Sequence, residues 1–301
     1  MKKMVRTKIL VLGITSFTGY RFFKLNNSYD VYGICRRWPG QKNEKIYELN
    51  ELSLPKIIEI IKQVKPTILI NCLSLSNVDE CENNYTTAME INYELAIEIM
   101  KAGEMYNYKA VSFSSSLIYA GSDTSYNEYA EAKPLNKYGE IKLLSDNYFR
   151  EHYQDKHLML RPTTIYGIRE KFQRDNPANF ILQRLNRCDN IYLVDDVETN
   201  LLYLDDFVQI LNSLIDKDAF GEYNVGGNET LSRYSLGLKI VSLLNKSNAL
   251  IHRVDSKYFN TIAKRPKRVI LDTSKVFQKT QLSITKTSNA LKEIISEARI
   301  K

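Results

Sequence analysis

Lys8-Ile9-Leu10-Val11-Leu12-Gly13-Ile14-Thr15-Ser16-Phe17-Thr18-Gly19 is the stretch whose reading decides the fold. Its apolar run Ile9–Leu12 stops at Gly13, and a helical pattern continues through about Lys24. A buried strand, a tight turn and a helix N-terminus in that order aim backbone N–H groups and the positive end of a helix dipole at an anion. A dinucleotide pyrophosphate fits there, with Gly13 at the turn, Gly19 at the helix–strand packing, and Ser16, Phe17 and Thr18 between them. Ser16 takes the middle position of a Gly-x-x-Gly-x-x-Gly reading, where a side chain either crowds the phosphates or bonds them. Two glycines six residues apart also describe an ordinary strand–helix turn, so the rest of the chain has to decide.

The next apolar stretch, Asp30-Val31-Tyr32-Gly33-Ile34-Cys35, reads as a second strand and runs into Arg36-Arg37. In a dinucleotide fold the end of this strand meets the adenosine ribose, where an acid accepts from a 2′-hydroxyl and an arginine pairs with a 2′-phosphate. Cys35 is no acid, and the arginine pair favours NADP(H) over NAD(H); a solvated basic loop is the other reading. Further strands are expected at Pro66–Asn71, Lys109–Phe113 and Lys156–Arg161. They alternate with helices at Leu54–Val64, about Thr86–Tyr106 and about Tyr138–Tyr153. That alternation implies parallel βαβ units, hence an α/β, Rossmann-type doubly wound sheet over residues 1–165. After Arg161 the rhythm changes to a charged loop, helices at Ala178–Arg187 and Phe207–Ile215, a strand at Ile191–Val194, a strand and turn at Gly221–Gly227, and a last helix at about Thr287–Ala298. We expect a smaller substrate-binding lobe over 166–301, with 191–217 completing the first domain.

The chain has 301 residues, 44% hydrophobic and 26% charged, the balance of a soluble globular protein with enough length for two lobes. Its net charge of +7 is interleaved with acidic residues, which argues against a nucleic-acid protein and for small anionic ligands. No run approaches the roughly 20 apolar residues that span a bilayer. The basic start, Met1–Lys8, leads into too short an apolar run for a signal peptide, so a cytoplasmic protein without membrane contact is expected. Cys35, Cys72, Cys81 and Cys188 make no disulfide framework. With His152, His157 and His252 they show no metal-ligand spacing, so no metal is expected.

Tyr138 and Lys142 lie four apart, so on a helix their phenol and ammonium share one face. A free tyrosine, with a pKa of about 10, is a poor acid near neutrality. A neighbouring cation favours the phenolate and makes proton exchange with a substrate oxygen efficient. The expected strand Lys109–Phe113 delivers Ser114-Ser115-Ser116 to the rim of the sheet, where ligands of doubly wound folds bind. The same four-residue spacing also arises by chance on exposed helices, where it is a solvated pair.

Taken in order, these segments resemble the extended short-chain dehydrogenase/reductase superfamily and, within it, the dTDP-4-dehydrorhamnose reductase family. The matching pieces begin with the Gly13–Gly19 turn, Asn71–Glu82 (NCLSLSNVDECE), FSSSLIYAG from Phe113, and Pro134–Lys142. They continue with Ile165-Tyr166-Gly167, Val194-Asp195-Asp196 with Asp206 ten residues on, and Arg265-Pro266-Lys267-Arg268 with Leu271–Lys275. The resemblance implies that Tyr138 is the general acid toward a keto oxygen, and that Lys142 lowers its pKa and holds the nicotinamide ribose. Ser115, four residues before Tyr119, would hydrogen-bond the carbonyl. It also implies Arg36 and Arg37 on the 2′-phosphate of NADP, Glu48 near the adenine, Asn71, Cys72 and Leu73 along the cofactor, and Asn92 at the family's helix asparagine.

The implied activity is hydride transfer from NADPH to a keto carbon, commonly C4, of a nucleotide-linked deoxysugar, feeding cell-surface polysaccharide synthesis. Two alternatives stay open: an epimerase or dehydratase that returns the hydride, and a non-catalytic NADP-binding subunit that regulates a partner enzyme. The chain departs from the family at Ser16, in place of the second glycine, and at Thr164, where the reductases place a tryptophan. Thr199-Asn200-Leu201-Leu202 lacks their Gly-x-Pro-Thr, and Thr199 stands nearest to where many epimerases and dehydratases carry an arginine for the diphosphate. The sugar and its nucleotide are therefore open. A homodimer is the commonest assembly of soluble enzymes, and the sequence carries no mark of it.

Overall fold

The computed structural model describes residues 6–300, so the basic start lies, as far as Val5, outside the described residues. The chain divides into two compact units. The first comprises Met1–Ser114, Ile141–Leu160 and Ala219–Glu222; the second comprises Ser115–Glu140, Arg161–Asp218 and Tyr223–Lys301.

The large sheet is built on β1 (Lys8–Leu12), β2 (Asp30–Cys35), β3 (Ile46–Glu48), β4 (Ile68–Asn71), β5 (Lys109–Phe113), β6 (Leu158–Pro162) and β7 (Gly221–Val225). Their order is β7-β6-β5-β4-β1-β2-β3. The pairings from β3 through β6 are parallel, which requires the helical crossovers that the sequence pattern implies. Leu12 is in register with Ile34 on one side and Asn71 on the other, so the ends of β1, β2 and β4 come level. The strand order reverses at β1 and β4, and a crevice outside their carboxyl ends is where this architecture binds ligands. Ile9, Leu10, Val11 and Leu12 are fully buried, as a strand covered on both faces must be, and this is why the run is continuously apolar.

Five helices follow the first strands: α1 (Phe17–Leu25), α2 (Leu54–Val64), α3 (Val78–Asn83), α4 (Tyr85–Met89) and α5 (Leu95–Tyr106); α6 (Lys137–His152) comes after β5. In α2, Ile57, Ile60, Ile61 and Val64 bury one stripe at helical spacing, and Lys65 ends the helix in the left-handed region at φ 51°. That stripe joins a core with Leu10, Leu69, Met100, Phe149 and Met159. The long helix expected from Thr86 to Tyr106 is interrupted by a π-helical turn, Glu90–Glu94, between α4 and α5. Asn92 lies in that turn with 1% exposure, so the wider turn accommodates a buried carboxamide where a regular helix was expected.

The second unit holds α7 (Pro177–Asn186), α8 (Leu204–Asp216), α9 (Arg233–Leu244), α10 (Ser274–Thr280) and α11 (Thr287–Ile300). Ile181, Leu182, Leu185, Leu236, Ile240, Leu291 and Ile294, from α7, α9 and α11, form its core. A three-stranded sheet orders Thr230–Ser232, Glu198–Asn200 and Arg268–Val269. Within the segment 191–217, Ile191–Val194 pairs with Ile251–Val254 outside the large sheet, whose seventh strand is Gly221–Val225. The reason is visible in its alternation. Ile191 and Leu193 are buried while Tyr192 is 41% exposed, and a strand inside a parallel sheet must be covered on both faces. Among the described residues no helix is long and apolar enough to cross a membrane, and no group of three or more His, Cys, Asp or Glu gathers as a metal site.

Helix α1 approaches the β1 turn so closely that a Cβ at Gly19 would lie 2.6 Å from the Gly13 carbonyl oxygen. Backbone is the obstacle, so Gly19→Ala is expected to destabilise the protein by about 1–3 kcal/mol. Urea unfolding checks this, and an alanine variant as stable as wild type would show that the turn relaxes freely.

Candidate active site

The first unit gathers the residues read as cofactor-binding around the ends of β1 and β4. Gly13 has φ +73°, and its N–H donates to the Ile34 carbonyl at 2.9 Å. Ser16 is the N-cap of α1, its Oγ accepting from the Gly19 N–H at 3.1 Å. Its hydroxyl oxygen thus satisfies one of the orphan donors of the helix start, while Phe17 and Thr18 open the first turn and have no intrahelical acceptor for their N–H groups. Cys72 donates its N–H to the Leu12 carbonyl at 2.9 Å. Burial pushes its thiol up to about 12, against the opposing effect of a hydrogen bond with Ser16, so the thiol stays protonated. Asn71, at 5% exposure, turns the chain after β4 by accepting from the Leu73 N–H at 3.1 Å.

Arg36 and Arg37 are exposed directly after β2. Glu48, the last residue of β3, accepts from the Trp38 N–H at 2.9 Å and so braces the loop that carries both arginines. The Trp38 indole tilts against Tyr20 at 5.8 Å and meets Phe23 edge-on at 5.7 Å, fastening that loop to α1. Sequence reasoning missed Trp38, although an indole next to an arginine pair was a readable signal.

Asn92 acts as a clamp. Its Oδ1 accepts from Ser74 Oγ at 2.8 Å and from the Leu75 N–H at 3.0 Å, and its Nδ2 donates to the Leu75 carbonyl at 3.0 Å. Ser145 of α6 donates to the Asn92 carbonyl at 3.0 Å, tying the π-helical turn to α6. One turn before Ser145's neighbour Asp146, Lys142 donates from Nζ to the Phe113 carbonyl at 2.9 Å with 5% exposure. Asn71, Leu73, Asn92, Ser112, Lys142 and Ser145 line one small pocket. Burial lowers the Lys142 ammonium to about 8, and the charge of buried Asp146 one turn on acts in the opposite direction. The Lys142-x-x-x-Asp146 spacing was legible in the sequence and went unread.

Ser115 and Tyr138 lie in the second unit. Ser115, 9% exposed, caps the short turn Ser116–Ile118, its Oγ accepting from the Leu117 N–H at 3.1 Å and leaving the O–H to donate. Tyr138, 8% exposed, sits in the first turn of α6, which Asn136 fastens by accepting from the Gly139 N–H at 2.9 Å and donating to the Lys264 carbonyl at 2.8 Å. A Cβ at Gly139 would lie 2.3 Å from the Leu117 carbonyl oxygen, so the start of α6 touches the turn that Ser115 caps. Tyr138 and Lys142 are one turn apart on this helix. A fully buried arginine, Arg161, also went unforeseen. It donates to Asn224 Oδ1 at 2.9 Å and to the Tyr119 hydroxyl at 3.3 Å, and the Asn224 N–H in turn donates to Glu128 at 2.8 Å.

The family described as the RmlD substrate binding domain matches residues 7–300. The chain belongs to that family. It is an RmlD-like member of the short-chain dehydrogenase/reductase superfamily. Among similar curated proteins, dTDP-4-dehydrorhamnose reductase of Escherichia coli (strain K12) is 25% identical over 256 residues, covering 80% of this chain and 83% of the relative. The methionine adenosyltransferase 2 subunit beta of Bos taurus is 22% identical over 280 residues, 89% of this chain and 81% of the relative. The dTDP-4-dehydrorhamnose reductase of Bacillus anthracis, solved in complex with NADP, superimposes with a TM-score of 0.84 at 22% identity, over 97% of this chain and 99% of the other. That likeness extends the RmlD-type fold over nearly the whole chain.

The buried Lys142 ammonium makes this RmlD-like protein's stability pH-dependent in a defined window. Below pH 8 both folded and unfolded chains carry the charge, and the burial penalty is complete. Between 8 and the ordinary 10.5 the folded chain has released a proton that the unfolded chain keeps, so stability rises with pH. The wild-type stability minus that of Lys142→Met, from urea unfolding at stepped pH, is expected to be flat below pH 8. Above it, the difference should climb by up to about 3 kcal/mol. A flat profile throughout would place the ammonium in water.

Proposed function

We propose that this protein is an NADPH-dependent reductase of a keto group, commonly C4, on a nucleotide-activated deoxysugar used for cell-surface polysaccharide precursors. The observation that carries the reading is the buried Lys142 ammonium one turn from Tyr138 on a helix whose start abuts the Ser115 turn. The E. coli and B. anthracis relatives named as dTDP-4-dehydrorhamnose reductases support the substrate class.

The residues present fit the dinucleotide. The Gly13–Gly19 turn and the first N–H groups of α1 suit a pyrophosphate, and the exposed Arg36-Arg37 pair, with no acid at Cys35, suits a 2′-phosphate. NADPH, when bound, supplies the hydride. Tyr138 then gives its phenolic proton to the carbonyl oxygen as that oxygen gains charge, and the Lys142 cation stabilises the phenolate left behind. Ser115 donates its O–H to the same oxygen, sharing the developing charge. Asn92 and Ser145 act on this chemistry only by holding the 73–75 loop and α6 in place.

A second reading, a non-catalytic NADP-binding regulatory subunit, draws on the similarity to the methionine adenosyltransferase subunit. The presence of Ser115, Tyr138 and a desolvated Lys142 favours catalysis over it.

The test is NADPH oxidation with a panel of dTDP-, UDP-, GDP- and CDP-linked 4-keto-sugars. Tyr138→Phe is expected to lower turnover by roughly 10²–10⁴-fold with NADPH affinity retained. No oxidation by wild type across the panel, despite NADPH binding, would move the protein to the regulatory reading. Replacing Arg36 and Arg37 together by alanine is expected to raise the KM for NADPH about tenfold or more while leaving NADH use nearly unchanged. Equal losses with both cofactors would remove the arginines from the 2′-phosphate.

A further inference from the structure

The loop between β2 and β3, residues 36–45, carries the exposed Arg36-Arg37 pair and is gathered around one side chain, the indole of Trp38. This is the chain's single tryptophan. Its backbone N–H donates to Glu48 Oε2 at 2.9 Å, which fixes the loop to the end of β3, and its indole N–H donates to the Gln41 carbonyl at 2.9 Å, which folds the loop back on itself. A Cβ at Gly40 would lie 2.8 Å from the indole nitrogen, so the returning chain passes directly against the ring.

The other contacts of the ring are with α1. Its centroid lies 5.8 Å from that of Tyr20 and 5.7 Å from that of Phe23, the latter edge-on. Tyr20 in turn donates its backbone N–H to the carbonyl of Ser16, the N-cap of α1, at 3.0 Å. The helix start that suits a pyrophosphate is therefore linked, through Tyr20 and Trp38, to the loop that suits a 2′-phosphate. In NADP both anions hang from one ribose, so the ligand itself sets their separation. Arginines on an unrestrained loop would lose backbone and side-chain freedom on closing around a phosphate, and a loop already fixed lowers that cost.

We propose that Trp38 is a positioning residue for cofactor selectivity: it holds the Arg36-Arg37 loop at a set distance from the start of α1, so that the arginines meet the 2′-phosphate while the helix takes the pyrophosphate. The inference rests on the reading of the arginine pair as the 2′-phosphate clasp, and it needs no sugar substrate. Trp38 acts on NADP only through the arginines. NAD, which lacks the 2′-phosphate, is indifferent to it.

Isothermal titration of the full chain with NADP and with NAD tests this. Trp38→Ala is expected to weaken NADP about tenfold and to leave NAD within about twofold of wild type. Trp38→Phe keeps a ring against Tyr20 and Phe23 and recovers most of the affinity. In a chain that already carries Arg36→Ala and Arg37→Ala, removing the indole should cost no further NADP affinity, the non-additivity of residues that act as one unit. The fluorescence of the single indole gives a readout that needs no variant: 2′,5′-ADP changes it, and 5′-ADP does so far less. Equal losses of NADP and NAD after Trp38→Ala, or a loss that persists in full without the arginines, overturn the positioning role. If the arginine double variant loses its preference for NADP and Trp38→Ala keeps it, the inference fails and the clasp stands. If the double variant keeps that preference, the clasp fails and takes the inference with it.

Discussion

Lys142 donates from its ammonium to the Phe113 carbonyl at 2.9 Å, and much else is placed by that bond. It ties α6 to the end of β5. Helix α6 carries Tyr138 one turn before Lys142, and β5 runs through Ser114 into Ser115. A lysine buried this far opposes folding near neutral pH, because its charge leaves water for a site where a carbonyl and the more distant charge of Asp146 compensate only partly. The core of the first unit, in which Phe149 and Tyr153 pack with Leu10 and Met159, has to offset that cost.

The polar residues around this bond are spent on architecture. Asn92 uses its carboxamide oxygen and nitrogen on Ser74 and Leu75, and its carbonyl on Ser145. Asn71 holds the turn to Leu73, Glu48 holds the loop of Arg36 and Arg37, and Ser16 closes the first turn of α1. Each satisfies a backbone group that would otherwise be left unpaired at a strand end, where loops leave the regular hydrogen-bond ladder. The crevice is thereby shaped before any ligand arrives, which reduces the ordering that binding must supply.

Two buried cations, Arg161 and Lys142, meet desolvation in different ways. Arg161, deepest of all, is answered by Tyr119 and Asn224 and lies over the Tyr119 ring at 5.7 Å, so it is part of the scaffold. Lys142 is partly compensated, by the Phe113 carbonyl and the charge of Asp146.

By itself the sequence determined the strand, turn and helix from Lys8 to Leu25, the boundaries of α2, and the placement of Tyr138 and Lys142 on one helix face. In each case the signal is local: a fully apolar run, a helical stripe or a spacing of four is written in consecutive residues. Only the tertiary structure decided that Gly221–Val225 fills the last place in the sheet, that the helix around Asn92 opens into a π-helical turn, and that Arg161 is fully buried. Those outcomes depend on partners far away in the chain: strand pairing, burial and charge compensation are sums over neighbours that no window of sequence contains.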